Sequence, residues 1–115
     1  MRRGEIRLVD LDPVRGSEAN KRRPAVVVSN DRANSAAQQR GRGVVTVVPL
    51  TSNIARVFPF QTMLPASATT LRLDSKAQAE QVRSVSVERV GVALGRVPAD
   101  LMGELDEALR IHLAL

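Results

Sequence analysis

The chain has 115 residues, 43% hydrophobic and 25% charged, which predicts one globular domain over residues 1–115 rather than a disordered tail. With no Cys and a single His it has no disulfide framework, no thiol nucleophile, no thiolate metal site and no His-pair chemistry, so neither a metal nor another cofactor is expected. Fifteen of its 17 cations are Arg, and the whole net excess of +5 falls in residues 1–42, which marks that end as the side for a polyanion.

In chain order, Ile6–Val9 reads as a short strand that follows Met1–Glu5 with no apolar leader, and no later stretch is long enough to span a membrane. A cytoplasmic location is expected. A charged loop follows, with Pro13 and Gly16 as breakers and Arg15, Glu18, Lys21, Arg22 and Arg23 as its charges. Residues 24–29 and 44–48 are β-branched runs of the kind buried on both faces of a small barrel. Between them, the polar, Ala-rich stretch from Asp31 to Gln39 predicts a loop or a short helical turn, closed by Gly41-Arg42-Gly43. Residues 58–64 and 77–85 read as two more strands, 87–90 as a single turn and 92–97 as a last strand. From Pro98 to Leu113 the positions Leu101, Leu105, Ala108, Leu109 and His112 recur at helical spacing, with Asp100 and Glu104 near the positive end of the dipole. Five or six short strands with a terminal helix predict a mainly β fold with short helices, a small barrel with helices packed outside.

The polar groups that could do chemistry gather in three segments beside strands: Glu18–Arg23, Thr51–Asn53 and Gln78–Ser84. A phosphodiester substrate needs cationic donors on its nonbridging oxygens, an acceptor for the 2'-hydroxyl proton and a donor for the leaving 5'-oxygen. Arg23, Thr51 and Glu80 could share these roles, with Pro24 holding the Arg23 backbone extended. Composition alone favours plainer readings: a solvated approach to a strand at Arg22-Arg23-Pro24, a turn at Thr51-Ser52-Asn53, and a polar face at Glu80 and Arg83. His112 reads as a packed or half-exposed helix residue, and Phe58-Pro59-Phe60 as core or subunit interface.

Several stretches fall in an order that resembles the MazF/PemK-type toxins, the ribonuclease half of toxin-antitoxin pairs. They are Gly4-Glu5-Ile6, Asp10-Leu11-Asp12-Pro13, Gly16-Ser17-Glu18, residues 23–31, Val48-Pro49-Leu50-Thr51-Ser52, Phe58-Pro59-Phe60, Asp74-Ser75, residues 80–84 and Gly95-Arg96-Val97. The resemblance implies an SH3-like barrel with a C-terminal α-helix, assembled as a homodimer whose groove binds single-stranded RNA. It implies metal-independent, sequence-specific cleavage in which the 2'-hydroxyl attacks, leaving a 2',3'-cyclic phosphate and a 5'-hydroxyl. By the same resemblance Arg23 and Thr51 act at the scissile phosphate, with Glu80 as an alternative base. Glu18 and Gln81 match residues that line the RNA groove, and a MazE-like antitoxin with an acidic C-terminal segment is the partner; Lys21, Ser52 and Arg83, from the polar segments and the charge pattern, are expected to contact RNA as well. Arg7 departs from the pattern, standing where relatives usually carry Trp or Tyr. A gyrase-inhibiting CcdB-like toxin is an alternative of similar fold, but its terminal Trp-Gly-Ile is absent from a chain ending Leu113-Ala114-Leu115. A basic barrel that binds RNA without cutting it is the other, and it gives no reason for Arg23-Pro24 and Thr51-Ser52 to occur together.

Overall fold

The valine runs become adjacent strands because each can bury both of its faces. In the computed structural model, which describes residues 1–13, 15–19 and 21–115, the strands are β1 (Glu5–Asp10), β2 (Arg22–Val27), β3 (Val44–Thr51), β4 (Gln61–Leu64), β5 (Ser75–Gln78), β6 (Arg83–Ser86) and β7 (Val90–Arg96). The helices are α1 (Asp31–Arg40), α2 (Ala66–Thr69) and α3 (Ala99–Leu113). All recorded pairings are antiparallel in the order β4-β5-β3-β2-β1-β7. β6 shares an edge of β3 with β5: β6 pairs with Val44–Val47, and β5 with Leu50 and Thr51. The path does not close, since no pairing among the described residues joins β4 to β7.

Successive strand residues point to opposite faces, so Val26 and Val48 enter one core while Val27 and Val47 enter the other. The first core holds Ile6, Leu50 and Leu64 against Leu105 and Ala108 of α3. The second holds Val9, Leu11 and Val45 against Ala37 of α1. The mainly β architecture with short helices and a terminal helix thus agrees with the sequence pattern.

Three elements differ from the sequence reading. Residues 31–40 form a ten-residue helix rather than a loop or a single turn. Its ends explain it: the Asn30 side chain accepts from the Ala33 amide at 2.8 Å, Asp31 and Arg40 suit the dipole, and Gly41 closes it at φ 65°. It docks through buried Asn34, whose Nδ2 donates to the Ser29 carbonyl at 2.8 Å. Residues 77–85 are two strand segments, divided by a 3-10 turn over Ala79–Gln81 that carries the chain from one half of β3 to the other. Phe58 and Phe60 precede β4 instead of belonging to it, and Phe58 is exposed. His112 is likewise exposed, because the buried stripe of α3 is Leu105 and Ala108, with Leu101, Met102 and Leu109 beside it.

Candidate active site

A cleft opens where the β2–β3 ladder stops. Its last pair is Ala25 with Pro49; Pro24 and Pro49 lack the N–H groups that would extend the hydrogen bonding. Continuing the same register sets position 23 opposite position 51, and both side chains border a cleft of about 470 Å³. Lys21, Arg22, Arg23, Thr51 and Ser52 line one side, and Thr70, Leu71, Arg72 and Leu73 the other, with Leu50 and Leu94 among the apolar lining. Among the described residues the lining includes Lys21, Arg22, Arg23 and Arg72 and no carboxylate, but the Arg22 guanidinium lies toward Gly91, where a second cleft holds Asp10, Asp12 and Glu88.

Local structure aims these groups. Arg23 is half-buried on β2, opposite Val9 of β1. Lys21 takes a left-handed backbone at φ 64°, which costs a non-glycine residue on the order of 1 kcal/mol. Both of its backbone groups are engaged there: its amide donates to Asp12 Oδ1 at 2.9 Å and its carbonyl accepts from the Leu11 amide at 3.0 Å. Thr51 Oγ1 accepts from the Asn53 amide at 3.2 Å, so the expected turn is present. That bond uses a lone pair of the hydroxyl and not its proton.

The other candidates sit apart from this lining. Gln81 clasps the β1–β2 loop, its Oε1 accepting from the Ala19 amide and its Nε2 donating to the Ser17 carbonyl, both at 3.0 Å. Arg83 donates to the Leu11 carbonyl at 3.2 Å, and Glu18 accepts from the Arg15 amide at 2.6 Å within the same loop. Glu80, half-buried, accepts through Oε2 from Gln61 Nε2, which ties the 3-10 turn to β4. Arg72 was missed by the sequence reading: it is the lone cation between residues 57 and 75, and only the α2 turn carries it to the cleft.

The N-terminal charge excess is partly neutralised by folding. Arg3 meets Asp106 of α3 at 2.6 Å, Arg2 meets Asp31 at 3.6 Å, and Arg7 meets Glu5 at 2.9 Å. Burial alone would push the Glu5 carboxyl up, but the Arg2 amide, the Arg7 guanidinium and the N-terminal ammonium outweigh it and hold its pKa below the usual carboxylate value. Among the described residues no three His, Asp or Glu side chains gather as a metal-ligating group, and no helix is long and apolar enough to cross a membrane.

The PemK-like, MazF-like toxins of type II toxin-antitoxin systems match this chain over residues 2–113. The chain belongs to that MazF-like toxin family. It is similar to endoribonuclease MazF9 of Mycobacterium tuberculosis, with 64% identity over 115 residues, 100% of this chain and 98% of the relative. Among solved structures it is similar to MazF of Deinococcus radiodurans, with TM-score 0.78 and 28% identity over 100% of this chain and 97% of that one. It is also similar to a mycobacterial endoribonuclease in complex with its cognate antitoxin, with TM-score 0.75 and 25% identity over 100% and 96% of the two chains. In this MazF-like toxin the unusual Arg7 is built into the sheet: its Nε donates to the Gly91 carbonyl at 2.9 Å while its guanidinium pairs with Glu5. It therefore joins β1 to β7 through polar bonds at the position of the expected aromatic.

Proposed function

We propose that this MazF-like chain, residues 1–115 as one domain, is an endoribonuclease toxin that cuts single-stranded RNA at a short sequence without a metal ion. The observation that carries the reading is a cleft at the end of two strands whose described lining brings Lys21, Arg23 and Arg72 to the hydroxyls of Thr51 and Ser52 with no carboxylate. A phosphodiester fits such a lining because guanidinium forks pair with its nonbridging oxygens, and the pairing strengthens where water is partly excluded. Arg23 stabilises the charge that grows on the phosphate. Thr51 donates its hydroxyl proton to the same group. The ribose 2'-oxygen attacks phosphorus, the bond to the 5'-oxygen breaks, and the products are a 2',3'-cyclic phosphate and a 5'-hydroxyl. The proton of the 2'-hydroxyl goes to a base, for which Arg23 and Glu80 are the two candidates, and the protonated base or a water molecule gives a proton to the leaving 5'-oxygen. A guanidinium is a poor base, whereas Glu80 is engaged with Gln61 away from the cleft lining. Lys21 and Ser52 hold flanking phosphates, and Glu18 of the adjoining loop serves RNA together with Gln81 and Arg83, which brace that loop from the 3-10 turn and β6.

The same cations suit an antitoxin. An extended acidic segment would exchange phosphate contacts for carboxylate pairs with Lys21, Arg23 and Arg72, so its binding excludes RNA and weakens with salt. Exposed Leu73, Val92, Ile111 and Leu113 give the chain apolar surface that a homodimer would cover. The toxin acts in the cytoplasm. The test is a defined RNA incubated with the protein in EDTA, followed by end-group mapping. Cleavage with 5'-hydroxyl ends and resistance of the matching DNA is the expected outcome; a magnesium requirement or 5'-phosphate ends would overturn it.

A further inference from the structure

Beyond Ser52 the chain leaves the cleft in a segment that carries one cation, Arg56, and no carboxylate up to Phe60. Core packing does not account for its aromatic pair, since Phe58 is 38% exposed. The rings of Phe58 and Phe60 stack with centroids 5.2 Å apart and planes within 4° of parallel. Arg56 lies over the Phe58 ring, its Cζ 5.1 Å from the centroid. Lys76 Nζ stands 6.0 Å from the same centroid and donates to the Arg56 carbonyl at 2.6 Å. The column is anchored from below, because the Phe58 amide donates to Gln61 Oε1 at 3.2 Å and Gln61 is itself bonded to Glu80. It is also joined to the cleft, since Lys76 is the cross-strand partner of Thr51.

A guanidinium on two stacked rings is an ordered platform for one kind of ligand. An unpaired nucleobase offers a π-face for the cation and rings, and its phosphate offers acceptors for the N–H fork. A purely apolar surface laid over the column would strip water from the exposed Arg56 and return no acceptor. Glu104 and Glu107 of α3 border the groove beyond Val57 and Pro59, which repels a phosphate chain from that side and leaves the approach from the cleft.

The geometry points to a base-stacking subsite at Arg56, Phe58 and Phe60 that grips one unpaired nucleotide flanking the phosphate cut at Arg23 and Thr51, an inference that rests on the endoribonuclease reading. Arg56 and Phe58 then bind substrate without touching the reacting atoms. The experiment combines two variants, Arg56→Gln and Phe58→Leu, with a series of cleavable RNAs bearing one abasic nucleotide at successive positions on either side of the cut. Each variant should raise KM about tenfold on intact RNA with kcat largely kept, the size expected for one base stacked on an aromatic or cationic plane. At one abasic position the substrate should be weakened by a similar factor, and there the variants should cause no further loss.

Arg56→Gln is an exposed change that leaves the core untouched, so it gives a result even if Phe58→Leu folds poorly. KM unchanged in Arg56→Gln, or losses that multiply at every abasic position, would overturn the subsite while leaving the nuclease assignment intact. Dissociation of a dimer by either variant with KM unchanged would instead make the column an interface between copies. Failure of the unaltered protein to cut or bind any RNA of the series would remove both readings together.

Discussion

Replacing Gly95 with Ala tests how closely α2 is pressed on β7, and through it how the far wall of the cleft is held. A Cβ at position 95 would stand 2.2 Å from the Thr69 carbonyl oxygen and 3.0 Å from Thr70 Oγ1. A comfortable carbon–oxygen contact is about 3.3 Å, so backbone must move by roughly 1 Å. The α2 turn has little room to retreat. Thr69 is buried, its hydroxyl donates to the Pro65 carbonyl at 3.1 Å, the Thr70 amide donates to Ala66 at 3.0 Å, and the Ala66 amide donates to Asp74 Oδ1 at 2.8 Å. Overpacking of this kind costs about 2–3 kcal/mol, which lowers Tm by roughly 8–12 °C for a chain of this size. Because Thr70–Leu73 form one wall of the cleft, KM for RNA should rise with it.

The control is Gly103→Ala on α3, where an added Cβ meets nothing within 4 Å. It should raise stability by about 1 kcal/mol, the helix preference of Ala over Gly. Calorimetry on both variants at one protein concentration, so that any association is held constant, decides the matter. A Gly95→Ala protein that melts within 2 °C of the parent, in the units set by that control, would refute the close approach.

Arg23→Ala and Thr51→Ala should each remain folded by circular dichroism and lose about 100-fold or more in cleavage, the usual cost of one transition-state donor; Arg23→Lys should also be poor, because a point charge does not replace the fork. Glu80→Gln keeps an oxygen to accept from Gln61 and should leave cleavage near the parent rate if Arg23 and Thr51 carry the chemistry. Abolished cleavage in a folded Glu80→Gln protein, with only a mild Arg23→Ala effect, would make Glu80 the base. Glu5 has a folded pKa below its ordinary value of 4.5, so its contribution to stability is present above about that pH and is lost as pH falls through the folded value. Acid titrations followed by circular dichroism should therefore show a shallower low-pH limb for Glu5→Gln than for the parent, and identical limbs would count against the ion pair with Arg7.

Much of this protein is legible along the chain because the signals are local. The valine runs have to be strands with two buried faces, the spacing of Leu101, Leu105 and Ala108 has to be one side of a helix, and Arg23 before Pro24 has to be extended. The ordered motifs around Arg23 and Thr51 likewise stand in the sequence itself. Helix α1 was hidden because only Asn34 and Ala37 of its ten residues are buried, so no apolar stripe marks it and its caps alone carry the signal. The break between β5 and β6 was hidden because residues 77–85 contain neither Gly nor Pro; the turn exists because β3 offers its edge to two partners in succession. Tertiary structure alone decided that Arg72 joins Lys21 and Arg23 in one cleft, that Gln81 and Arg83 hold a loop, and that Phe58 and Phe60 stack outside the core. Each of these is a meeting of side chains far apart in sequence or free to turn either way, and such meetings are fixed by strand register and packing rather than by the residue's own neighbours.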